Sequence, residues 1–136
     1  MIDNSLRFRV SSESHKVYKN LCEKNAIFHT MSDLFFWCVI LGYANEKERS
    51  SLGNASKQVF TWGVFSDEIQ KPVLKMIAVE VKDDFTILNG NDVTSLNDFK
   101  DILEELAEAG LTKLLDEIEE IDHESLFSVL IKYLPQ

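Results

Sequence analysis

The chain has 136 residues, 45% of them apolar and 27% charged, which suits one compact domain able to build its own core. Its net charge of −9 weighs against non-specific nucleic-acid binding, which works by neutralising phosphates. The charge is uneven: residues 1–60 carry eight Lys/Arg against six Asp/Glu, and residues 61–136 carry six against seventeen, giving +2 and −11.

Leu6-Arg7-Phe8-Arg9-Val10 alternates, with both arginines on one side, and predicts a short strand. Ser11 and Ser12 are candidate caps for a helix over 13–24, whose stripe is Val17, Tyr18, Leu21 and Cys22. Thr30-Met31-Ser32-Asp33 reads as a capping box, with Asp33 placed to favour the helix dipole. It opens a helix over about 31–43 containing Leu34 to Tyr43, in which only Gly42 interrupts the apolar and aromatic residues. That run is too short to cross a bilayer, which takes about 20 apolar residues. A helix apolar all round must then be surrounded by protein, and Trp37→Asp is expected to abolish soluble folding.

Residues 45–57 are polar and read as a loop. Val59 to Phe65 is β-branched and aromatic and reads as a strand or extended arm. Pro72 moves the next helix start to about Lys71, after a turn at 66–70; that helix runs to Val81 on Val73, Leu74, Ile77, Ala78 and Val81. A short apolar segment, Phe85 to Leu88, lies between polar turns. Ser95 caps a helix to about Ala109 on Phe99, Ile102, Leu103 and Leu106, and Gly110 is placed to end it. A further helix fits Leu111–Ile121, and a last one His123–Leu134.

The expected fold is mainly α: five to six helices packed round the central apolar helix at 31–43, with two or three short strands. It forms a single compact domain over 1–136, with strand-helix-helix in 6–43 and a strand plus an acidic helical part in 58–136. The expected core is Phe28, Leu34, Phe35, Trp37, Ile40, Leu41, Leu74, Ile77, Phe99, Leu103, Leu115 and Leu130.

Chemistry is hard to find in these residues. His15, Cys22, His29, Cys38 and His123 have no zinc-ligand spacing. An EF-hand centred on Gly90 would put Phe85 and Leu96 where carboxylates are required. The chain carries no serine elbow, phosphate loop or glycine-rich fingerprint. The expectation is a protein that is not an enzyme and uses no metal or cofactor. Cys22 and Cys38, in apolar helical surroundings, suit reduced thiols, and with no secretory leader visible the expected location is cytoplasmic. Glu105, Glu108, Asp116, Glu117 and Glu120 lie opposite the apolar stripe, as a solvated face or a docking face for a basic partner.

Strand-helix-helix over 6–43 resembles a ribbon-helix-helix module, in which a dimeric two-stranded ribbon enters the major groove and alternate side chains read bases. Arg7 and Arg9 would be the readers. The apolar second helix argues against that, and the plainer alternative is that residues 6–10 pair with another strand.

Ile27-Phe28-x-Thr30-x-x-Asp33, followed by a helix ending Leu41-Gly42-Tyr43, resembles a family of small bacterial proteins associated with the Dnd system. That system modifies DNA with phosphorothioate and restricts unmodified DNA. The aromatic segment ending Val64-Phe65, the helix containing Ala78 and the approach to Ala109-Gly110-Leu111 are similar too, so the likeness covers roughly residues 15–121. Leu6 to Ser11, with Leu21 and Trp37-Cys38, is also distantly similar to the small DNA-binding component of the system, an oligomer whose surface lysines contact the DNA backbone. On that likeness Arg7, Arg9, Lys16 and Lys19 are candidate DNA contacts. The chain departs from that component in having fewer basic residues and an acidic C-terminal half. The resemblance implies antiphage defence, with this chain as an accessory or adaptor that binds other defence components, as a homo-oligomer in one version. The other version is a DNA-binding regulator using the N-terminal strand.

Overall fold

The computed structural model describes residues 2–24 and 28–118. In chain order they form strand β1 (Arg7–Ser11), helix α1 (Ser12–Lys24), helix α2 (Met31–Ala44), strand β2 (Ser56–Thr61), helix α3 (Gln70–Lys82) and helix α4 (Val93–Ile118). Single 3-10 turns occupy Trp62–Val64 and Phe85–Leu88.

Helix α2 begins at the expected cap: the Asp33 amide donates to Thr30 Oγ1 at 3.2 Å. Leu34, Phe35, Phe36, Cys38, Val39, Ile40, Leu41 and Gly42 are all buried. A helix buried on most of its circumference needs cover from several sides. The principal cover is α4, and two glycines set how closely the helices cross. A Cβ on Gly110 would overlap the Cys38 carbonyl oxygen, and one on Gly42 would overlap the Leu106 carbonyl oxygen. Each helix therefore presents bare backbone to the other.

This overturns the expected stop at Gly110. Glycine ends helices because it tolerates left-handed backbone, but it also permits close approach, and here the second property is used. The expected helix at 95–109 and the described part of the one expected at 111–121 form a single helix, Val93–Ile118, and the described residues contain four α-helices rather than five or six. The expected helix at His123–Leu134 lies outside the described residues.

Strands β1 and β2 form one antiparallel pair with Phe8 opposite Phe60 and Arg9 opposite Gln58. The register slips by one residue between those pairs, leaving Val59 as the extra residue of a bulge. β2 stops at Thr61 rather than running to Phe65. The following 3-10 turn repeats every three residues, so Trp62 and Phe65 both point inward and Val64 points out. They meet Phe8, Phe35 and Phe60 in an aromatic cluster with centroid separations of 5.1–6.3 Å, and Phe99 of α4 packs on Trp62 at 5.3 Å.

Helix α3 starts at Gln70, where Ser66 and Gln70 cap each other: each backbone amide donates to the other's side-chain oxygen at 3.0 Å. Pro72 falls within its first turn, where a missing N–H costs little. Phe28, Leu34, Phe35, Ile40, Leu41, Leu74, Ile77, Phe99 and Leu103 are buried, while Trp37 and Leu115 are only partly so. Trp37 lies against Phe36 edge to face at 5.8 Å. Leu130 lies outside the described residues.

Candidate functional site

Arg9, Ser11 and Ser14 converge on one seam, where β1 and the start of α1 meet α4. One edge of β1 is taken by β2. Along the other, the Arg9 amide donates to Glu104 Oε2 at 2.6 Å and Arg9 Nη2 donates to Oε1 at 3.1 Å. Lys100, one turn earlier on α4, sits 3.4 Å from Glu104 Oε2. Glu104 is 1% exposed, so three donors compensate an enclosed charge that would otherwise be costly. The Arg9 guanidinium is held further into its charged form by the hydrogen bond to Glu104.

Glu108 lies one turn further along α4. Its Oε1 accepts from Ser11 Oγ at 2.6 Å and from Ser14 Oγ at 2.7 Å. The Ser14 amide donates to Ser11 Oγ at 3.1 Å, so Ser11 caps α1 and docks it on α4 together. Glu108 opens on a cleft of about 410 Å³ lined also by Ser11, Ser12, Glu13 and Ser51 to Ala55. Both hydroxyls donate to the carboxylate, an arrangement suited to fastening a strand and a helix end to a second helix.

The candidate DNA contacts separate here. Arg7, Lys16 and Lys19 are exposed, but Arg9 is committed to Glu104. A ribbon shared between two chains needs a free edge on β1, and β2 and the α4 carboxylates occupy both. The strand pairs with its own chain, the plainer of the two readings.

The candidate docking carboxylates separate as well. Glu108 is not on a solvated face, because Ser11 and Ser14 hold it against β1. Glu105 is 2.9 Å from Arg49, and its backbone carbonyl accepts from the Ser50 amide, which pins the 45–55 loop on α4. Glu117 pairs with Lys113 at 3.4 Å. Asp116 is exposed, beside a cleft of about 200 Å³ that it lines with Asn45, Glu48, Ser50 and Lys113. Glu120 lies outside the described residues. Glu104 was missed as an individual, though a signal existed: Glu104, Glu108, Leu111 and Leu115 follow one another at helical spacing, two carboxylates in line with a leucine stripe.

Tyr18 and Cys38 are buried side by side between α1 and α2. Burial pushes the Tyr18 hydroxyl and the Cys38 thiol well above their ordinary values, which leaves both neutral and the thiol inert as a nucleophile. Among the described residues no three His, Cys, Asp or Glu side chains group as a metal would require, and no helix is long and apolar enough to cross a membrane.

A family model for DNA sulphur modification system-associated protein 4 matches residues 7–134. No curated protein matches the chain, and no solved structure matches it.

Proposed function

We propose a function from one premise: this chain belongs to the DNA sulphur modification system-associated protein 4 family. The reading is a non-enzymatic accessory subunit, an adaptor that binds other protein components of a bacterial DNA-sulphur-modification system and serves it in antiphage defence. The family match over 7–134 carries this reading. The fate of the polar side chains supports it: Glu104, Glu108 and Arg9 are spent on internal fastening, while large apolar side chains stand in solvent. Met76 and Phe85 among them share one groove, and contiguous apolar surface of that kind marks where another protein is met.

The test is co-purification. The tagged chain, expressed from its native locus, is expected to bring down at least one other component of the system in fixed ratio. Its deletion is expected to weaken restriction of unmodified DNA. A strictly monomeric chain that captures no component of the system, with restriction unchanged on deletion, would remove this reading.

A further inference from the structure

The most exposed large apolar side chains of the described residues include Met76, 70% exposed on α3, and Phe85, 79% exposed on the following 3-10 turn. With Val79 and Leu88 they line a groove of about 320 Å³, flanked by Lys75 and Glu80. Phe85 does not stand outward through a slack loop. Asp83 turns the chain out of α3 in left-handed backbone, the Thr86 amide donates to Asp84 Oδ1 at 2.9 Å, and Ile87 is buried beneath. A capped and anchored turn thus presents an aromatic ring at a fixed place, which is how an apolar anchor for a partner is pre-organised.

The charge around the groove says what kind of partner fits. Asp83 and Asp84 are exposed on the turn itself, and the Thr86 amide holds the Asp84 carboxyl below its ordinary value, so it stays ionised. Of the nearby cations, Lys47 and Lys82 are already paired, with Glu80 at 3.1 Å and Asp98 at 3.2 Å, and Lys75 in the groove lining is offset by the field of Asp67, which leaves Asp83 and Asp84 to set the sign at the turn. A second copy of the chain would itself carry a net charge of −9, the same sign as these aspartates. We propose that the groove between α3 and the Phe85–Leu88 turn docks a basic amphipathic helix of a partner protein. Its apolar side chains would pack on Met76 and Phe85, and its Lys or Arg residues would meet Asp83 and Asp84. The proposal rests on the adaptor reading and adds where, and to what chemistry, the adaptor binds.

The experiment uses the whole protein and synthetic probes, so its outcome is independent of whether the system's own components are captured. A fluorescent Leu/Lys amphipathic peptide of about 18 residues, five helical turns, is titrated against the wild type, and a Leu/Glu peptide of the same apolar pattern serves as control. Binding of the Leu/Lys peptide is expected, weakened about tenfold or more by Met76→Ser/Phe85→Ser, as loss of central apolar anchors does. Asp83→Asn/Asp84→Asn, which keeps the turn chemistry, is expected to weaken it about threefold to fivefold and to reduce its salt dependence. Both pairs change exposed positions, so unchanged circular dichroism and melting are expected. Equal binding to the serine variant, equal binding of the Leu/Glu peptide, or no binding would overturn the proposal. So would a wild-type dimer that the serine variant fails to form, which would make a second copy the occupant. A tenfold gain in affinity on Leu126→Ser/Leu130→Ser would overturn it too, by identifying the chain's own C-terminal stretch as the occupant.

Discussion

Glu104 carries its charge at 1% exposure because a strand amide, a guanidinium and an ammonium all reach it. Removing the carboxylate and removing one of its donors are therefore unequal changes. Glu104→Ala strands the Arg9 amide and guanidinium and opens a void, and is expected to cost about 3–5 kcal/mol in urea unfolding. Arg9→Ala leaves the strand amide and Lys100 in place at a half-exposed position, and is expected to cost only about 1–2 kcal/mol. Equal costs would mean that Glu104 serves only as a counter-charge to Arg9. The buried pair Tyr18 and Cys38 governs the alkaline side. Both groups have folded values raised by burial above the ordinary 10.0 and 9.0. Their contribution is complete below those values and is lost as pH rises above them, because the unfolded chain then releases protons that the folded chain retains. Stability is thus expected to fall above about pH 9, with Cys38 contributing up to about 1.4 kcal/mol per pH unit. Cys38→Ala, melted at pH 8 and pH 10, is expected to lose less over that interval than the wild type. A parallel loss in both proteins would contradict this.

At the scale of elements, the α2–α4 crossing holds the fold together and depends on two missing side chains. Gly110→Ala places a Cβ into the Cys38 carbonyl and is expected to cost about 3 kcal/mol or more, or to prevent soluble folding. Gly53→Ala meets open space but positive φ, and is expected to cost about 1 kcal/mol. Thermal melts of the two variants would rank them, and a milder Gly110→Ala would show that the helices can separate. Gly110 also shows what a single sequence withholds, since one glycine suits a helix stop and a backbone contact equally well. The α2 cap was legible because Thr30 and Asp33 have one local use in that order. The end of β2 was not, because a bulge at Val59 and a 3-10 turn break the period of two after it is established. Trp37 was misplaced for another reason: an all-apolar helix has no phase, so nothing marks which residue faces outward. The expected effect of Trp37→Asp softens accordingly. Phe35→Ala, wholly buried against the rings of Phe8, Phe60 and Phe65, is expected to cost about 3–5 kcal/mol and Trp37→Ala clearly less.

At the scale of the molecule, charge and apolar surface are sorted. The acidic surplus of residues 61–136 is partly consumed by the seam with β1 and by pairs with Arg49, Lys82 and Lys113. That internal use was not legible in the sequence, because a carboxylate on a helix looks the same whether solvent or a strand edge faces it. Association with a DNA sulphur modification system was legible through apolar and turn residues, and the family match over 7–134 establishes it. The central claim, that the chain serves that system by binding protein rather than by reading DNA through β1, is tested most directly by nuclease-treated co-purification from the native locus. Arg7→Ala/Lys16→Ala/Lys19→Ala is predicted to retain the captured component at wild-type ratio after nuclease digestion. Capture that vanishes with nuclease, or with the loss of those three cations, would contradict the account.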